Sequence, residues 1–124
     1  MSKARPKYLD LFRIRLPVPA FVSILHRVSG ALLFLMIPAL LYLWQTSVQA
    51  PETFNAFKAF VSRPPVKLVA IGLAWAYLHH FCAGIRHLAL DLHYGTSLET
   101  ARATSWGVIG VSLFLTIVFG ALLW

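Results

Sequence analysis

Four side chains able to hold a metal, move a proton or pair with an anion stand close together in His80-x-x-x-Gly84-Ile85-Arg86-His87-x-x-x-Asp91. They close an apolar run long enough to cross a bilayer. An ionisable group at the centre of a hydrocarbon layer costs about 3 kcal/mol or more, so these groups must face a protein interior, a bound group or a water-filled site. With about 3.6 residues per helical turn, His80, Gly84, His87 and Asp91 follow an i, i+4, i+7, i+11 pattern and share one helix face.

Gly84 leaves a gap in that face between two imidazoles, where a flat, bulky group such as haem, or another backbone, has room to approach. His80 lies about 16 Å before Asp91 along the helix and is shielded from bulk water, which suits a neutral imidazole acting as a metal ligand. Two axial nitrogens stand about 4 Å apart across an iron. His80 and His87 are about 10 Å apart along the helix, and His79 and His80 diverge by about 100°, so neither pair can ligate one iron. His26, from another segment, is expected near the membrane surface, a better place for contacting haem propionates than for ligation. The simplest arrangement takes one ligand from this chain and the second from a partner subunit.

A second polar cluster reads Ser23-Ile24-Leu25-His26-Arg27-Val28-Ser29-Gly30. Ser23 and Arg27 are i, i+4 neighbours on one face. A hydroxyl and a fixed cation near the headgroups have the chemistry to hydrogen-bond the oxygens of a quinone whose tail stays in lipid. Each residue also has an ordinary packing role open to it. His80 can bond a neighbouring helix carbonyl, Arg27 can snorkel to the interface, and Ser23 can bond its own helix. Asp91 can form an ion pair with Arg86 or finish the helix. His79, His93 and Trp75 read as structural.

Long apolar helices must carry these clusters, and the composition provides them. Of 124 residues, 59% are hydrophobic and only 12% charged, where a soluble domain keeps about 25% charged. The mean hydropathy is +0.73. The chain therefore reads as a single all-α integral membrane domain. Its apolar segments, 21–44, 66–92 and 106–124, each approach or exceed the roughly 20 residues that span about 30 Å of hydrocarbon. This predicts three transmembrane helices, a polar amino-terminal segment over 1–20 and loops over 45–65 and 93–105.

The first span is expected to begin after Pro17-Val18-Pro19 and to kink at Pro38. Behind Pro51-Glu52, the positions of Phe54, Phe57, Phe60 and Val61 fit either a short amphipathic helix on the membrane or a loop packed by aromatics. Trp106 and Trp124 are spaced by about 27 Å of helix, the separation of two interfacial aromatic belts.

The net charge of +7 does not point to nucleic acid, because the basic residues cluster at membrane boundaries, where anionic lipid is the natural partner. Lys3, Arg5, Lys7, Arg13, Arg15, Arg27, Arg86 and Arg102 fall on one side of the spans, against Lys58, Arg63 and Lys67 on the other. Eight against three places the amino terminus in the cytoplasm and the carboxyl terminus in the periplasm. The first span is read as retained rather than cleaved as a signal peptide, whose basic region is usually shorter. Cys82, the only cysteine, excludes an intrachain disulfide and reads as a small buried hydrophobe.

The two motifs, in this order on the first two of three spans, resemble the cytochrome b membrane-anchor family of bacterial succinate dehydrogenases, from about Arg5 through Trp124. Leu9-Asp10-Leu11 and Ile14-Arg15 fit the same resemblance. It implies that His80 is one axial ligand of haem b, shared with a second small membrane subunit that supplies the other. It further implies that Ser23 and Arg27 line a ubiquinone site, and that His26, Arg27 and His87 support the haem propionates. Succinate oxidation would lie on a flavoprotein subunit, with an iron-sulfur subunit carrying the electrons, in a complex of the bacterial inner membrane. A quinol:fumarate reductase anchor, or a non-redox membrane scaffold or transporter component, is the competing reading.

Overall fold

The computed structural model describes residues 14–124, which form four α-helices: α1 Val18–Ser47, α2 Pro51–Val61, α3 Pro64–Asp91 and α4 Leu98–Leu123. The basic residues Lys3, Arg5, Lys7 and Arg13, and the Leu9-Asp10-Leu11 segment, lie outside the described residues. No strand occurs among those described. α1, α3 and α4 are each long and apolar enough to cross a membrane. At about 1.5 Å per residue they are about 39–45 Å long, so each tilts in or projects from a layer about 30 Å thick.

Proline sets two of the starts. Pro17 caps α1 with Pro19 inside its first turn, and Pro64-Pro65 opens α3 behind an extended Arg63, positions where the missing N–H has no helical partner to lose. α1 continues through Pro38. The segment after α1 takes the helical of its two expected forms, as α2. Here the Ala50 N–H donates to Thr53 Oγ1 at 3.1 Å, while Glu52 in the first turn and Lys58 in the last oppose the helix dipole.

The expected polar loop over 93–105 is shorter than its composition suggests. Ser97 Oγ accepts the Thr100 N–H at 3.3 Å, and Glu99 occupies the first turn, so the helix is capped at Ser97 and runs about two turns ahead of Trp106. α3 ends tightly instead. The Tyr94 N–H donates to the Ala89 carbonyl and the His93 N–H to the Leu90 carbonyl, both at 2.9 Å. His93 takes the left-handed conformation with φ 64°, a C-terminal turn usually made by glycine.

α3 is the central element, packing on both α1 and α4, while α1 also touches α4 and α2 joins α1 to α3. The packed interior is small and polar. Among the described residues Ser29, His79, Arg86, Ser105, Ser112 and Thr116 are buried, against only Val22, Ala76, Ala83 and Val108 of the apolar ones. Leu35, Phe34, Ile117 and Leu122 are turned outward and largely exposed. Burial of apolar surface from water cannot drive such a bundle. Close approach at small residues and helix-to-helix hydrogen bonding can, which is how helices associate in lipid. At the far end, Lys67 Nζ donates to the Trp124 carbonyl at 3.2 Å and lies 5.4 Å from the centre of its ring, fastening the start of α3 to the end of α4.

Candidate functional site

The two motifs meet. His26 of α1 stacks on His80 of α3 with ring centroids 4.2 Å apart and planes inclined by 11°. The same ring lies 5.0 Å from His87, tilted by 45°. This corrects the expected use of the gap at Gly84, because the His26 imidazole stands there. A Cβ built on Gly84 would meet His26 Nε2 at 3.6 Å.

His26 is also level with His80 instead of nearer the surface. α1 and α3 run in opposite directions, His26 lies about 12 Å into α1, and His80 lies about 16 Å from the end of α3, so the two depths nearly coincide. Face-to-face stacking nevertheless prevents the pair from ligating one iron. Axial imidazoles present ring edges to the metal from opposite sides, whereas these two present their faces to each other.

The hydrogen bonding of His80 fixes its chemistry. Nδ1 is 3.0 Å from the His26 carbonyl oxygen and 3.3 Å from Ser29 Oγ. A carbonyl only accepts, so Nδ1 carries the proton, and in a neutral ring Nε2 then carries the lone pair. Among the described residues, the only side-chain polar atoms both buried and unpartnered are Nδ1 and Nε2 of His79. Nε2 of the half-buried His80 is not among these buried atoms and has no hydrogen-bond partner among the described residues. No three His, Cys, Asp or Glu side chains of the described residues come together as a metal-binding group. A metal held by His80 would have to take its other ligands from outside the described residues.

Beside His80, an open apolar groove of about 380 Å³ between α1 and α3 is lined by residues that include Leu25, Ser29, Trp75 and Ala76. It continues through Met36, Val69 and Leu73 into a larger one of about 630 Å³ that also involves α2 through Phe57 and Phe60. Ser23 is half-buried and Arg27 exposed on α1, one helical turn apart and within one turn of His26. Fixed cation, hydroxyl and imidazoles thus lie along one end of the bundle.

Arg86 and Asp91 part company. Arg86 is buried, its Nε donating to Thr104 Oγ1 at 3.1 Å and its Nη2 to the Ala101 carbonyl at 3.4 Å. Asp91 is exposed at the last residue of α3. The expected ion pair is corrected: five residues along a helix turn side chains about 140° apart, and α4 offers Arg86 closer partners. His79 is wholly buried beside Trp75, ring centroids 5.4 Å apart. Ser29 and Thr104 were not singled out in the sequence. Ser29 was findable, since it lies three residues after His26 and so on the same face of α1. Thr104 was not, because the expected loop concealed the helix that carries it.

An all-helical, multi-pass membrane chain with stacked histidines between two of its long helices and a small polar interior is the class of protein these features define. Residues 1–119 match the family model of the succinate dehydrogenase/fumarate reductase transmembrane subunit. The chain is 34% identical to the succinate dehydrogenase cytochrome b556 subunit of Coxiella burnetii, over all of both chains. It is 32% identical to that of Rickettsia felis, covering 92% of this chain and 89% of the relative. The match to that of Paracoccus denitrificans is 31%, covering 92% and 88%. The chain belongs to the succinate dehydrogenase/fumarate reductase transmembrane subunit family, as its two motifs led one to expect.

Proposed function

We propose that this chain is the membrane-anchor subunit of a succinate dehydrogenase, in which Nε2 of His80 is one axial ligand of haem b and Ser23 and Arg27 form part of a ubiquinone site. The observation that carries the reading is the half-buried His80 imidazole, whose Nδ1 is held by the His26 carbonyl while Nε2 has no partner among the described residues. Haem b, when bound, supplies one-electron redox chemistry beside the quinone.

The chain's own residues hold and orient. His26 and His87 lie beside His80 where the propionates need basic partners, with Arg27 on the adjoining face. The Arg27 guanidinium and the Ser23 hydroxyl donate to a quinone oxygen, favouring the negative charge that develops there on reduction. The exposure of Arg27 keeps this end open to protons from water. The second axial ligand comes from a second small membrane subunit seated against the apolar grooves. An iron-sulfur subunit and a flavoprotein subunit dock on the same end and deliver electrons from succinate.

The amino terminus lies in the cytoplasm, the carboxyl terminus in the periplasm and the spans in the bacterial inner membrane. The family description also covers fumarate reductases, but the relatives named above are all succinate dehydrogenase subunits, which favours succinate oxidation as the direction. The test is the absorption spectrum of the natively purified complex with and without His80→Ala. The b-type signal is expected to vanish while the other subunits stay attached, and an unaltered spectrum would remove His80 as the ligand.

A further inference from the structure

We infer that Ser29 and Gly30 form a cradle that fixes the plane of the His80 imidazole and tunes its strength as a haem ligand. This rests on the reading of His80 as an axial ligand and adds two positioning residues to it. Gly30 carries the geometric half. A Cβ built there would stand 2.7 Å from His80 Cε1, 3.2 Å from Nδ1 and 3.8 Å from Nε2. The first distance is below van der Waals contact, so any larger residue drives the ring off its position or rotates it.

Other glycines in the bundle lack this constraint. Gly72, Gly107 and Gly110 have nothing within 4 Å of an added Cβ, and Gly84 would make only an ordinary contact with His26. The imidazole is thus confined between two parts of α1. The His26 ring covers one face at 4.2 Å, and the Gly30 backbone lies against the Cε1–Nδ1 edge. The helix approaches this closely only because position 30 has no side chain.

Ser29 carries the electronic half. It is buried, and its hydroxyl donates to the His26 carbonyl at 3.0 Å. With that proton used, Oγ faces His80 Nδ1 as an acceptor at 3.3 Å, beside the carbonyl at 3.0 Å. Two acceptors on one N–H draw its proton outward and put electron density on the ring, making Nε2 a stronger donor to iron. A partner of this kind on the far nitrogen of a metal-bound histidine fixes its tautomer and raises its basicity. Stronger donation favours ferric over ferrous iron and lowers the reduction potential.

The test uses the purified complex and reads haem per complex, the low-spin electron paramagnetic resonance g-values and the haem midpoint potential. Gly30→Ala is expected to lower haem content severalfold or to shift the g-values, which report the ligand planes. Gly107→Ala, a helical glycine with open space around it, should move neither. Ser29→Ala is expected to keep the haem and raise its potential, and Ser29→Thr to restore the lower value.

Unchanged g-values and haem content in Gly30→Ala, or an unchanged or lowered potential in Ser29→Ala, would overturn the cradle. Should Gly30→Ala fail to assemble, the potential of Ser29→Ala decides alone. His80→Ala separates the two levels. If it keeps the haem spectrum, the ligand assignment falls and the cradle with it; if it loses the haem while the cradle variants match the parent, only the cradle falls.

Discussion

Two adjacent faces of α3 treat nearly identical residues in opposite ways. The face of Ala76, His79, Ala83 and Arg86 is buried against the other helices, whereas that of His80, Gly84 and His87 is half-buried and its last member, Asp91, is exposed. His79 and His80 are neighbours in sequence. Yet His79 has no exposure, and neither ring nitrogen makes a well-formed hydrogen bond among the described residues, although the Val22 backbone lies close enough to interact, while His80 is half-buried with Nδ1 bonded and Nε2 without a described partner. On the proposed reading of His80, burial in the bundle is not what marks a ligand. A ligand needs a lone pair with somewhere to go and a partner on the far nitrogen that decides which atom carries it.

The largest expected effect comes from replacing each imidazole by leucine. His80→Leu should abolish the b-type haem spectrum. His79→Leu should retain it and leave thermal stability unchanged or raised by about 1 kcal/mol, because a buried polar group without a partner costs about that much or more and leucine fills similar space. Spectra and thermal unfolding of the two purified complexes check this. Haem lost in His79→Leu and kept in His80→Leu would reverse the roles of the two faces.

How far the sequence alone shows this depends on whether the information is local. The three spans follow from hydropathy, and the common face of His80, Gly84, His87 and Asp91 follows from helical periodicity; both need only one segment. The partners across helices depend on the register of α1 against α3. That register put His26 opposite Gly84, where an open gap was expected, and set Ser29 and Gly30 against His80. The start of α4 is encoded by Ser97 as N-cap with Glu99 in the first turn, whereas the polar composition of 93–105 reads as a loop. With α4 shortened by two turns, the true partner of Arg86 could not be found.

The same divergence of neighbours recurs on α1, where His26 turns to α3 and Arg27 is exposed. Arg27→Ala should lower quinone reduction about tenfold or more, the worth of a hydrogen bond from a charged donor of about 1.5–3 kcal/mol. Haem content and subunit assembly should hold. Turnover of succinate with a soluble quinone measures the first, and absorption and gel filtration the second. Normal turnover in an assembled complex would leave Arg27 as an interface anchor only.

The smallest effects separate Arg86 from Asp91. Arg86 donates two hydrogen bonds to α4 from a buried position, so Arg86→Ala should destabilise the α3–α4 contact by about 1–2 kcal/mol, between the value for charged donors in water-soluble proteins and the lower mean for membrane bundles. Asp91 is exposed at the helix end, and Asp91→Asn should change stability by less than about 0.5 kcal/mol. Were the two residues an ion pair, either substitution would break it, and a double-mutant cycle would return a coupling energy. A coupling near zero, with the cost confined to Arg86→Ala, is what two separate faces require. Coupling of about 1 kcal/mol would mean that the faces share a charge network and that Asp91 helps to orient the start of α4.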